Sequence, residues 1–125
     1  MKCHCDSGKN FDECCQPFLD GKDTPKTALQ LMRSRYSAHI TKNAFYILNT
    51  EMPQNDEIFA QIMAFMNTVN FTSLKVTNHV MGSETDNVGM VEYHLKYVDG
   101  KEKKEHTEQG NFIKVSGKWF FVGEE

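Results

Sequence analysis

Every cysteine of this chain lies in its first fifteen residues, in the stretch CHCDSGKNFDECC, as Cys3, Cys5, Cys14 and Cys15. Two chemistries bring four thiols together: disulfides or a metal. Bridges between the neighbours Cys14 and Cys15, or across the single residue between Cys3 and Cys5, are strained. Two cross-pairs would have to pack side by side, each with Cα atoms roughly 4.4–6.8 Å apart. A tetrahedral Zn²⁺ asks only for four sulfurs at about 2.3 Å from one point. A C-x-C turn and a C-C pair can converge on such a point across the intervening loop. No C-x-x-C pair argues for redox chemistry. No charged-then-apolar leader is visible, so the expected compartment is the reducing cytoplasm, where thiols stay thiols. Asp6, Ser7 and Gly8 read as a tight turn after the first two cysteines, with Gly8 free to take positive φ. Phe11, the one large apolar side chain of the loop, is expected to cap the site or dock it on the rest of the chain. His4 is an alternative ligand, although His4 and both its cysteine neighbours do not easily aim at one ion.

This stretch resembles the SEC-C motif, roughly C-x-C-x-S-G-x-x-[FY]-x-x-C-[CH], which ends the SecA translocation ATPase and occurs in many small bacterial proteins. The resemblance implies that Cys3, Cys5, Cys14 and Cys15 hold a structural Zn²⁺, and Ser7, Gly8, Lys9 and Phe11 also stand at motif positions. His4 replaces the usual Pro and Asp6 the usual Gly, so a looser turn is expected at Asp6. Four protein sulfurs leave no open position for water, which argues against catalytic zinc.

Beyond the motif, Pro17, Gly21 and Pro25 punctuate a connector, which sets the expected division at residues 1–21 and 22–125. With 39% hydrophobic and 25% charged residues in 125, one packed domain is expected after the motif. Thr24 and Pro25 suggest a helix entry. Leu29, Met32, Tyr36 and Ile40 recur at helical spacing, and Asn43 marks the end. A short second helix over 44–53 stops at Pro53. A third opens at Asn55 or Asp56, with Ile58, Ile62, Phe65 and Met66 on one face. From Phe71 the period falls to two: 71–82, 88–98, 104–116 and 118–123 read as strands, with hairpin signals at Asp99-Gly100-Lys101 and Ser116-Gly117-Lys118. Helices followed by an antiparallel meander imply an α+β fold with the helices on one face of a curved sheet.

That order resembles the nuclear transport factor 2-like, or cystatin-like, cone. More particularly, TALQLMRSRYSAHI, GMVEYHLKY, TEQGNF and GKWFFV are similar to stretches of YchJ-like proteins, small bacterial proteins with an N-terminal SEC-C motif and a cone domain. One departure is Gly110, where the family tends to have Ser. The resemblance implies fold and zinc; it implies no reaction.

Cone folds often enclose a pocket between the first helix and the sheet. Arg33, at the edge of the helical stripe, needs a carboxylate partner, and Glu92 and Glu108 are the candidates. One expectation is an anion or small-acid site built from Arg33, His106 and Glu108. The alternative is a buried Arg–Glu pair that locks helix to sheet. His106 and Glu108 share a strand face, as a base and its orienting carboxylate would, although a solvated strand edge gives the same pattern. Tyr36 and Trp119 read as core. No phosphate loop, nucleophile elbow or H-E-x-x-H occurs. No catalytic residue is assigned.

Two functions follow. In the first, residues 1–21 form a zinc-stabilised module that docks a protein, as the SecA motif does with its partners. The net charge of −3, and two lysines against four acidic residues in 1–21, argue against nucleic acid. In the second, the cone binds a small molecule or catalyses its turnover. No apolar run reaches the roughly 18 residues of a membrane span.

Overall fold

The computed structural model describes residues 1–124 of the chain. A 3₁₀ turn at Phe11–Glu13 leads into helix α1 (Gln16–Leu19), followed by α2 (Ala28–Ile40), α3 (Ala44–Asn49) and α4 (Asp56–Thr68). Strands β1 (Val69–Met81), β2 (Val88–Asp99), β3 (Glu102–Val115) and β4 (Lys118–Glu124) then form one antiparallel sheet in the order β1-β2-β3-β4. The architecture is the expected α+β cone. No helix among the described residues is long and apolar enough to cross a membrane.

Helix α2 starts three residues later than Thr24 and Pro25 suggest. Its N-cap is Thr27, whose hydroxyl accepts from the Gln30 backbone N–H at 3.0 Å, while the Gln30 side chain takes the Lys26 N–H at 2.8 Å. Thr27 thus has a helper three residues on that Thr24 lacks. Two tertiary bonds pin the same spot: Ala28 N–H donates to Gly82 O at 3.0 Å, and Trp119 Nε1 donates to Lys26 O at 3.1 Å. Gly82, at φ +82°, and Gly89 permit this approach, since a Cβ on Gly89 would lie 2.6 Å from Gly82 Cα. Asn43 does not end α2, which closes at Ile40; it caps α3 through Tyr46 N–H at 3.1 Å. Asn55 caps α4.

Helix α2 is buried on more than one stripe. Met32 and Tyr36 face the sheet, while Ser34, Ser37 and Ala38 are also buried. Leu31, Met32, Tyr36, Leu74, Val91, Tyr93, Leu95, Phe112 and Trp119 form the main core, and Cys3, Cys5 and Cys15 belong to the same cluster. Ala38, Ala44, Ile47, Ile62 and Met66 make a second cluster between the helices. On the sheet, Val91, Tyr93 and Leu95 of β2 point into the cone, opposite Gly110, Glu108 and His106 of β3 in register. The inward row of β3 therefore runs His106, Glu108, Gly110, Phe112, polar at one end and apolar at the other.

Candidate metal centre and cone cavity

The first fifteen residues fold back on themselves. Cys3 N–H donates to Lys9 O at 2.8 Å and Phe11 N–H to Met1 O at 2.9 Å, closing a short antiparallel loop. Gly8 takes φ +81°, as its place in the turn requires. Asp6 also lies in the left-handed region, at φ 62°, which accounts for the usual Gly at this position of the motif; Asp is among the side chains that tolerate it. The 3₁₀ turn then returns the chain, with Cys14 N–H donating to Phe11 O at 3.1 Å, and delivers Cys14 and Cys15 opposite Cys3 and Cys5.

The four Sγ atoms lie within 4.8 Å of one another. Cys5 and Cys14 are 3.5 Å apart, and Cys14 and Cys15 4.0 Å. A tetrahedron with arms of about 2.3 Å has edges of about 3.8 Å, so the donor set fits one tetrahedral metal ion. The thiols are free and three of them are buried. Their crowding is electrostatically one-sided. Hydrogen bonding from Cys15 first, then from Ser7, Cys3 and Cys14, holds Cys5 down to about 4 against its burial. Burial pushes Cys14 up to about 11, and the hydrogen bond to Cys5, with burial, drives Cys15 higher still. The crowded thiolates oppose one another's ionisation, a repulsion that a cation at their centre would relieve. Ser7 Oγ, 3.1 Å from Cys14 Sγ, and the Lys9 N–H that donates to Ser7 Oγ at 3.2 Å brace the site. His4 is outside the donor group: its ring meets Phe11 edge-on at 5.5 Å.

The knuckle is seated on α2. Cys3 Sγ lies 3.6 Å from Ser37 Oγ, and Arg33 Nη1 donates to the Cys5 carbonyl. Arg33 lines a groove beside Cys14 and Cys15 and does not meet His106 or Glu108. Neither glutamate is its partner. Glu92 lies on the outer face of the sheet, accepting from Thr77 Oγ1 at 2.8 Å and Gln109 Nε2 at 3.1 Å. Two residues along a helix turn the side chain by about 200°, so the neighbouring arginine of the MRSRY stretch points the other way.

That neighbour, Arg35, lines a cavity of about 410 Å³ inside the cone, together with His106 and Glu108. Arg35 is held by Glu51 at 3.1 Å, by the Ile47 carbonyl at 3.0 Å and by Thr50 Oγ1 at 2.9 Å, and its guanidinium lies 4.6 Å over the Phe121 ring. Glu51 reaches it because residues 50–52 pair with Phe121, whose N–H donates to Thr50 O at 2.8 Å. In the same cavity, His106 Nε2 bonds Glu108 Oε1, and His106 Nδ1 meets the Tyr97 hydroxyl at 3.1 Å. Burial, and then Glu108, push the Tyr93 hydroxyl well above its usual range. Glu124, in register with Gly110, also faces the cavity; partial burial and then Glu108 raise its carboxyl to about 6. His39, edge-on to Phe65 and Phe71, is held neutral, pulled down to about 3 by burial first and then by Arg35 and Lys42. Gly110 sits against this network: a Cβ there would lie 3.2 Å from the Tyr93 hydroxyl.

Arg35, Tyr93 and Glu124 were not singled out by their sequence context. Parity marks Tyr93 as inward but cannot say that its hydroxyl meets a carboxylate, and the Arg35–Glu51 pair depends on a loop docking onto β4.

A family model described as YchJ, middle NTF2-like domain, matches residues 27–124. A UPF0225 protein from Actinobacillus succinogenes is 36% identical over 124 residues, covering 96% of this chain and 79% of that relative. The solution structure of a SEC-C motif containing protein from Rhodopseudomonas palustris superposes with a TM-score of 0.87 at 31% identity, covering 100% of this chain and 98% of that one. A SEC-C motif protein from Psychrobacter arcticus shares the fold at 23% identity, with a TM-score of 0.78 over 97% of this chain and 80% of its own. The cysteine knuckle, the cone and these likenesses agree: the chain belongs to the YchJ family of SEC-C motif proteins.

Proposed function

We propose that Cys3, Cys5, Cys14 and Cys15 hold one structural Zn²⁺, and that the knuckle of residues 1–21 is a module for docking another protein. The observation that carries this is the convergence of four thiols, three of them buried, on one point. Zinc suits a donor set of sulfur alone, and a closed tetrathiolate serves structure rather than catalysis. Such a centre adds negative charge to a segment in which Asp6, Asp12 and Glu13 are exposed. The partner surface that complements it is basic or apolar, and nucleic acid is disfavoured. The cytoplasm, where thiols are kept reduced, is the compartment this chemistry suits. The Asp12→Lys/Glu13→Lys double variant tests the docking half, since both side chains are exposed and neither is a ligand. It is expected to keep metal and fold and to lose the partners recovered with the parent protein. Identical recovery by both would remove residues 12 and 13 from the interface and with them the charge argument.

A second reading has its own observation, the cavity of about 410 Å³ lined by apolar and aromatic side chains with a few polar groups among them. This is the usual form of a small-ligand site. In this reading the cone binds a small molecule and zinc remains structural. A ligand bound by the native state raises Tm by mass action, so a thermal-shift screen tests it.

A further inference from the structure

The expected small-acid site rested on Arg33, and Arg33 serves the knuckle instead. The charge that faces the cavity is of the opposite sign. Among the described residues its lining includes no lysine. Its arginine, Arg35, is already matched by Glu51, and three of its hydrogen bonds are spent on Glu51, Ile47 and Thr50. Its half-buried imidazole, His39, is held neutral, and His106 bonds Glu108. Asp99 at the rim is countered by Lys104 at 3.4 Å. Glu124 lines the same cavity beside Glu108, and partial burial and then Glu108 raise its carboxyl against the weaker pull of His106 and Arg35, so acid outweighs base on this part of the wall.

The remaining walls are aromatic. Phe71 lies 5.6 Å from the Tyr36 ring and 5.9 Å from Tyr97. Glu108 bonds His106 and the exposed Glu124 stands next to it, and two carboxylates this close on one wall repel each other unless a cation lies between them. Carboxylates at the end of an aromatic-walled cavity match an organic cation, whose charge meets the acids while its body and C–H groups meet the ring faces. Resting on the reading of the cone as a ligand-binding cavity, we propose that it binds a small organic amine. The ammonium group sits between Glu108 and Glu124, with the apolar body against Phe71 and Tyr97.

The test is an NMR titration of the full chain with three probes of one shape: 2-phenylethylamine, 2-phenylethanol and 3-phenylpropanoate. The amine is expected to shift the Tyr97, Glu108 and Gly110 amides and to bind at least tenfold more tightly than the carboxylate. Glu108→Gln and Glu124→Gln are each expected to weaken the amine about tenfold, and Glu92→Gln on the outer face to leave it unchanged. Glu124 is exposed at the end of β4, so its variant carries the test even if Glu108→Gln disturbs folding. Equal or tighter binding of the alcohol or the carboxylate at the same amides overturns the amine assignment and leaves the cavity reading standing. No shift at these amides with any probe overturns both.

Discussion

The knuckle and the cone cavity share helix α2, and they are built by opposite means. The knuckle draws its four thiols from thirteen consecutive residues and has few apolar atoms of its own. Its shape depends on what the sulfurs hold. The cavity draws its polar groups from α2 and three strands, and its shape depends on the packed sheet. Arg33 and Arg35 mark the division on one helix: the first braces a knuckle carbonyl, the second a half-buried carboxylate. A segment too short for a core closes on its four cysteines, whereas the cone holds its polar groups within a packed hydrophobic frame.

The strongest way to break this comparison is to remove the metal. Chelation, or Cys5→Ser, is expected to lower stability by about 4 kcal/mol or more in urea unfolding, because Cys3, Cys5 and Cys15 are part of the main core. A loss confined to the N-terminus, with the cone's unfolding midpoint unchanged, would mean that the knuckle is an appendage rather than a brace.

The two arginines sharpen it. Arg35→Met is expected to cost about 3 kcal/mol, since it strands Glu51 in a mostly buried setting. Arg33→Met removes one charge-assisted bond to a carbonyl at a partly exposed site and is expected to cost about 1 kcal/mol. Equal losses in denaturant melts would remove the distinction drawn between them.

A separate effect concerns acid. His39 is neutral in the fold, about 3 against an ordinary 6.5, so the unfolded chain takes up its proton first. Its contribution to stability is complete above about 6.5 and is lost as pH falls toward 3. His39→Leu is expected to unfold less steeply with acid than the parent over that window; an identical acid limb would show that His39 is not buried neutral.

These regions also differ in how far the sequence exposed them. Cys3, Cys5, Cys14 and Cys15 are recognisable because residue type and local spacing are the whole signal. The strands and their turns at Gly100 and Gly117 follow from alternation and turn chemistry, and the inward row of β3 follows from parity. The true start of α2 does not, because Thr24 and Thr27 are both good caps and the choice is made by Gln30 and by Gly82 across the fold. The assignment of Arg33 to Glu108 fails for a similar reason. Helical spacing separates Arg33 from Arg35 by direction, but which direction meets the sheet depends on the knuckle occupying the other face. Glu124 carries no local signal, and only register with Gly110 brings it beside Glu108.

The central claim is that four thiolates enclose one zinc. X-ray absorption at the zinc edge, on protein purified without added metal or chelator, tests it most directly. One zinc per chain with a shell of four sulfurs at about 2.3 Å is the predicted result. Absence of zinc, or a shell containing nitrogen or oxygen, would contradict it and return His4 or a water to the metal.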